Sequence, residues 1–97
     1  MQIATQIETE ILEEISEEVS SIDLWELVVF NDDINSFDHV IMTLIDVVEH
    51  TPEQAEQCTI IIHYKGKCGV KSGEFEDLVI VRNAICKRGI SAEVMLK

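Results

Sequence analysis

The chain has 97 residues, 46% of them apolar, and a formal net charge of −12. That is enough for one domain with a real core, while no apolar run approaches the ~18 residues a membrane-crossing helix needs. Nineteen acids against seven bases make a poor match for a phosphate backbone or an anionic lipid surface, which argues against nucleic-acid and membrane partners.

The three cysteines, Cys58, Cys68 and Cys86, are odd in number and widely spaced, so no disulfide framework is expected. The N-terminus lacks the basic start and apolar run of a signal peptide. Both features lead to the expectation of a cytoplasmic protein in a reducing compartment.

Residues 1–24 form the first unit. They carry seven acids and no lysine or arginine, and Ile3, Ile7, Ile11, Ile15, Val19 and Ile22 recur at helical spacing. The like charges oppose a stable free helix. The segment reads as a mobile or weakly helical acidic arm, or as one that folds on a partner or lies on the domain. Ser20-Ser21 marks the joint.

A β-α-α-β-α-β core follows over 25–97. Trp25–Phe30, aromatic and β-branched, is a strand. Asn31–Ser36 is a turn, with Asn35 or Ser36 able to cap a helix and Asp38 suited to its first turn. Phe37, Val40, Ile41, Leu44 and Val48 share one face of that helix, which should end at His50. Thr51-Pro52-Glu53-Gln54 is a capping box with proline at the first helical position. It predicts a second helix to about Tyr64, with Ala55, Cys58, Thr59 and Ile62 on one face and Gly66 as its stop. Residues 68–73 form a short strand. Glu74–Arg88 is a third helix, with Phe75, Leu78, Val81 (or the stem of Arg82) and Ile85 inward and Gly89 as its stop. Residues 91–96 alternate as a last strand. The fold class is α+β, three helices packed on one face of a small three-stranded antiparallel sheet. One core uses up the apolar faces, so a monomer is expected.

The chemistry is sparse. There is no glycine-rich phosphate loop, serine elbow or HExxH motif. Asp32 and Asp33 could share a proton or a metal, but adjacent turn positions usually diverge. His63, Cys58 and Cys68 are near in sequence, yet no CxxC supports zinc. They read better as a helix-end histidine and two small core residues. No catalytic role, metal or cofactor is expected. A binding pocket is the remaining possibility. If the first two helices pack as a hairpin, Asn31-Asp32-Asp33 and His63 converge on one rim above apolar walls. Such a site suits a cation beside an apolar group. The plainer reading is that Asn31 and Asp33 satisfy the turn and cap a helix.

The run "VVFNDD…F…HVI…L…V…H…EQAEQ…IIIHYKGKCGV" resembles the ClpS family, adaptors of the Clp protease. The likeness spans roughly 25–97. It implies a non-catalytic adaptor that binds the free N-terminal residue of a substrate, large and apolar, and delivers it to the N-terminal domain of a Clp-family ATP-dependent unfoldase. Asn31 and His63 match the family's ligands for the substrate α-ammonium group, and Asp32 and Asp33 the acids that complete that site. A neutral imidazole can accept from the amine, and a protonated one cannot. Asn35, Phe37, Val40, Thr59 and Ile62 match the apolar pocket, and Glu74 an acidic docking position. Phe37 and Thr59 stand where familiar members have methionine, and Val79 where a lysine is common. The loop between HYKG and CGV is shorter by two residues. The arm matches the family's extension in role only. The competing reading is a non-catalytic protein-interaction module of the same fold that does not read N-termini and has no use for Asn31, Asp32, Asp33 and His63 as a set.

Overall fold

The structure, a computed structural model, describes residues 24–97. The acidic arm read over 1–24 lies outside the described residues apart from Leu24.

The elements follow in the order β1 (Trp25–Phe30), α1 (Phe37–Val48), α2 (Pro52–Lys65), β2 (Lys67–Gly73), α3 (Phe75–Lys87) and β3 (Ala92–Leu96). The sheet order is β2-β1-β3, and both pairings are antiparallel. β2 and β3 therefore run parallel to each other on either side of β1, and α3 is the crossover between them. Such a crossover needs room, and a helix supplies it.

Strand alternation decides which face is covered. Leu27 and Val29 of β1 are fully buried and pack with Val40 and Leu44 of α1, Ala55 and Ile62 of α2, and Leu78 and Ile85 of α3. Val28, of opposite parity, lies outside that cluster. All three helices thus share one face of the sheet, as the periodicity predicts.

Local chemistry sets the helix ends. Ser36 caps α1, its hydroxyl accepting from His39 N–H at 3.1 Å. The predicted capping box starts α2: Thr51 Oγ1 accepts from Gln54 N–H at 3.2 Å, and Gln54 Oε1 accepts from Thr51 N–H at 3.0 Å. Gly66 closes α2 at φ 90 and is the one residue between it and β2. A side chain would be strained in that left-handed conformation.

Three details differ from the sequence reading. α1 ends at Val48, two residues short of His50, because Glu49 turns left-handed (φ 66) and its N–H bonds Leu44 O. His50 instead reaches β2, where its Nε2–H donates to Val70 O at 2.7 Å. Phe37 and Phe75, placed inward by periodicity, are 42% and 46% exposed. Phe75 rests edge-on against Trp25, ring centroids 4.9 Å apart. Thr43, which an apolar pattern passes over, is fully buried, and its hydroxyl is satisfied by donating to His39 O at 2.8 Å.

Candidate functional site

α1 and α2 pack as a hairpin, and the β1–α1 corner closes one end of the groove between them. The result is a cavity of about 330 Å³ lined by Asn31, Asp32, Asp33, Asn35, Ser36, Phe37, Val40, Thr59, Ile62 and His63. Every residue assigned from sequence to the amine end or the apolar pocket is brought together there. Ser36 joins them, since the helix cap borders the same opening.

The corner is held by the two neighbouring turns and by its own side chains. Phe30 N–H donates to Ser91 O at 2.9 Å, and Asn31 N–H donates to Gly66 O at 2.8 Å. The chain is thereby pinned to both neighbouring turns as it leaves the sheet. Asp32 then organises the loop. Its Oδ1 accepts from Ile34 N–H at 2.9 Å and Asn35 N–H at 2.8 Å, and its Oδ2 accepts from Asn35 Nδ2 at 2.7 Å. The Asn35 backbone N–H is the main cause holding the Asp32 carboxyl below its ordinary 3.8, against a smaller desolvation penalty. Asn35 Nδ2 also donates to Gly89 O at 2.8 Å, and His39 Nε2–H to Arg88 O at 2.8 Å. These two bonds tie the corner to the turn after α3. The Arg88 guanidinium in turn meets Asp46 of α1 at 3.0 Å.

The tasks of the corner are therefore divided differently from the plainer sequence reading, in which Asn31 and Asp33 satisfy the turn. Asp32 satisfies it, and Ser36 caps the helix. The side chains of Asn31 and Asp33 are exposed, with no hydrogen-bond partner among the described residues. The same holds for the ring nitrogens of His63, whose contacts are edge-on to Phe37 (centroids 6.1 Å) and Tyr64 (5.2 Å). One amide, one carboxylate and one imidazole therefore line the cavity without a hydrogen-bond partner among the described residues.

The floor is apolar. Val40 and Ile62 are buried. Thr59 is buried too, and its hydroxyl donates to Ala55 O at 2.7 Å within α2. The hydroxyl hydrogen is spent on the helix, so Thr59 offers no free donor to an occupant. Phe37 stands at the mouth, its ring turned 79° to that of His63. Sequence reasoning did not find the bonds from Asn35 and His39 to the α3–β3 turn, which join residues about fifty positions apart. Only the tertiary fold brings them together.

Among the described residues no cluster of three or more His, Cys, Asp or Glu side chains could hold a metal ion, and no helix is long and apolar enough to cross a membrane.

The family model described as ATP-dependent Clp protease adaptor protein ClpS matches residues 20–92. The chain belongs to the ClpS family. ClpS adaptor proteins are non-catalytic. The chain is 33% identical over 53 residues to the ATP-dependent Clp protease adapter protein ClpS of Nitratidesulfovibrio vulgaris, covering 53% of each chain. It thus spans about half the length of that ClpS relative. It is 28% identical over 68 residues to the ClpS of Thermosynechococcus vestitus, covering 69% of this chain and 72% of that one. Among solved structures it is similar to Agrobacterium tumefaciens ClpS2 bound to L-phenylalaninamide, with a TM-score of 0.71 and 16% identity over 77% of this chain and 98% of that one. At that identity the likeness is one of fold, and the fold is the ClpS-like α+β arrangement.

Proposed function

We propose that this chain is an N-end adaptor, which binds the free N-terminal residue of a substrate protein when that residue is large and apolar. It then hands the substrate to a Clp-type ATP-dependent unfoldase. The observation that carries the reading is the pairing, in one cavity, of exposed and unspent Asn31, Asp33 and His63 with a buried base of Val40, Thr59 and Ile62. An α-ammonium group has three protons to donate. Asn31 Oδ1, the Asp33 carboxylate and a neutral His63 ring nitrogen are acceptors of the right kind, and each charge-assisted bond is worth roughly 1.5–3 kcal/mol. Burying a Leu or Phe side chain adds roughly 1.5–3 kcal/mol. After association costs, micromolar affinity (about −8 kcal/mol) is the expected scale. An acylated or internal residue loses the amine bonds, so the site reads a chain end.

Phe37 at the mouth favours Leu and Phe over Trp. The spent hydroxyl of Thr59 keeps the floor apolar, so the loss of a methionine there costs reach more than it adds polarity.

Unfoldase docking belongs at the start of α3. Glu74 is exposed, precedes the helix with extended backbone and spends no side-chain bond on capping it. Its carboxylate is thus available to a partner, and Ile80, 71% exposed, adds apolar area one turn and a half on. The arm over 1–24 serves delivery in this reading and leaves peptide affinity unaffected when removed. The adaptor works as a cytoplasmic monomer.

The test is fluorescence anisotropy on labelled ten-residue peptides that differ only at the N-terminus: Leu, Phe, Tyr, Trp, Met, Asp and N-acetylated Phe. Micromolar binding of the free apolar ends, lost on acetylation and weakened at least about tenfold by Asn31→Ala, is expected. Equal binding of the free and acetylated Phe peptides, or none of either, overturns the reading.

A further inference from the structure

The proposed peptide site lies on the helix side of the sheet and leaves the other side unused. Residues directly opposed across an antiparallel pair share a face. Val28 therefore shares its face with Gly69 of β2 and Glu93 of β3, Phe30 with Lys67, and Glu26 with Ser72 and Met95. Leu27 and Val29 take the core side, so this second set faces away from the helices. An antiparallel sheet can leave one face to water, and alternation then makes that face polar. Here the alternate positions of β1 read Glu26, Val28 and Phe30, two apolar residues out of three. Met95 adds apolar surface beside them at 38% exposure. Gly69 contributes no side chain, and the Glu26 carboxyl lies where a Gly69 Cβ would be. The centre of the face is a hollow of about 360 Å³ whose lining includes Glu26, Val28, Lys67, Gly69 and Met95.

The same chain carries an apolar stripe in need of a partner. In the acidic arm before Leu24, Ile3, Ile7, Ile11, Ile15 and Val19 recur every four residues among charged and polar ones. The two features are joined. Lys97 N–H donates to Leu24 O at 3.0 Å, so the chain is held in the ladder up to the last residue before the arm. The arm therefore starts at one end of the central strand, with β2 and β3 on either side.

We propose that the arm folds back in cis and lays Ile7, Ile11 and Ile15 on the open face of the sheet, over Val28, Phe30 and Met95. The lengths match. With the Ser20-Ser21 joint as the bend, residues 3–19 remain to cross, about 25 Å as a helix. Strands of five to seven residues span about 17–24 Å. Charge favours the same placement. The arm has seven acids and no lysine or arginine. After residue 24 only two acids, Glu26 and Glu93, lie on strands, while Lys67 and Lys71 lie on β2 and Lys97 follows β3. Lys67 is paired with Phe30 at one end of β1, and Lys97 meets Leu24 at the other. The face thus has a lysine at each end. On α1 and α2 the arm would meet Asp38, Asp46, Glu53 and Glu56 instead. A short tether supplies an effective concentration in the millimolar range, so a contact too weak to join separate chains is enough. The docked arm stays clear of the cavity between α1 and α2, and this proposal is independent of the N-end reading.

The experiment uses the full chain, labelled with carbon-13 and nitrogen-15, and methyl nuclear Overhauser spectra. Cross-peaks should join the Ile7, Ile11 and Ile15 methyl groups to those of Val28 and Met95, and should be absent to Val40 and Ile62 at the cavity base. Ile11→Asp/Ile15→Asp changes no residue of the core. It should abolish the cross-peaks and shift the Met95 methyl and Gly69 N–H signals. Lys67→Glu, on an exposed side chain, should weaken them. The Kd of a free N-terminal Phe peptide should stay at the parent value in the isoleucine variant, while Asn31→Ala should weaken that peptide and keep the cross-peaks, so the two proposals fail separately. No cross-peak from the arm to Val28 or Met95, or unmoved Met95 and Gly69 signals in the isoleucine variant, overturns the proposal. Cross-peaks seen only between differently labelled chains overturn it in favour of a second copy. Undiminished cross-peaks in Lys67→Glu overturn the part given to charge.

Discussion

Asn35→Ala is the substitution that best tests how the corner is built. The Asn35 amide donates to a carboxylate oxygen of Asp32 at 2.7 Å and to the carbonyl of Gly89 at 2.8 Å. A bond to a charged acceptor is worth roughly 1.5–3 kcal/mol and a neutral one roughly 0.5–1.5 kcal/mol. Asn35 is half-buried, so water replaces part of what is lost, and the low end of each range applies. The sum is a destabilisation of about 2 kcal/mol, or a fall in Tm of roughly 8–16 °C for a domain of this size. The Asn35 backbone N–H still reaches Asp32 Oδ1 in the alanine variant, so the turn itself survives. Asn35→Asp has the same shape but sets a second carboxylate against Asp32 and a carbonyl. It should be less stable than Asn35→Ala at pH 7, and the gap should close below about pH 4 as carboxylates protonate. Urea and thermal melts of the three proteins give the answer. An alanine variant within about 0.5 kcal/mol of the parent, or an aspartate variant no worse than alanine at pH 7, refutes the argument that this amide clamps the loop to the α3–β3 turn.

Acid titration tests Asp32. Its folded carboxyl lies below 3.8, chiefly through the Asn35 N–H. The stability it supplies is present in full above the ordinary carboxylate value and is lost as pH falls through the lower folded value. The urea midpoint between pH 6 and 2 should therefore decline less steeply in Asp32→Asn than in the parent, and equal slopes count against a structural role for this acid. Gly66→Ala tests the junction of α2 and β2. Nothing lies within 4 Å of the added Cβ, so any cost is conformational, from φ 90. About 1–2 kcal/mol is expected by chemical denaturation, and a neutral result would mean that the turn relaxes.

How much could be read beforehand depended on the range of the interactions. The capping box at Thr51, the stop at Gly66 and the strand at 25–30 are local, and local chemistry decided them. α1 was placed correctly at its start and overrun at its end, because His50 is polar and helix-compatible and only its bond to Val70 O explains where it goes. Phe37 and Phe75 show the limit of periodicity. A helical wheel places them on an apolar face, but at the first positions of their helices they stay partly exposed, one lining the cavity and one against Trp25. For the site, residue types and a family likeness named residues that the structure gathers around one opening. Neither could tell which of two adjacent aspartates was free.

That distinction bears on how the proposed amine site could work without depth. Three acceptors on a floppy loop would lose much of their binding energy to ordering. In this corner Asp32 spends its oxygens on the loop, Asn35 and His39 fasten it to the α3–β3 turn, and Asn31 is pinned through its backbone to Gly66 O. The ordering cost is met in folding, before any ligand arrives. The side chains of Asn31, Asp33 and His63 are then left facing solvent on two supports, the first two on the corner and the third on α2. The same economy makes the corner sensitive to residues that touch no ligand. A substitution at His39, whose ring never reaches the cavity lining, should weaken peptide binding through the position of Asn31 and Asp33 alone. His39→Phe should raise the Kd of a free N-terminal Phe peptide several-fold and leave its ratio to the Leu peptide unchanged, because the apolar floor is untouched. A change in that ratio would mean that the corner and the floor are not independent.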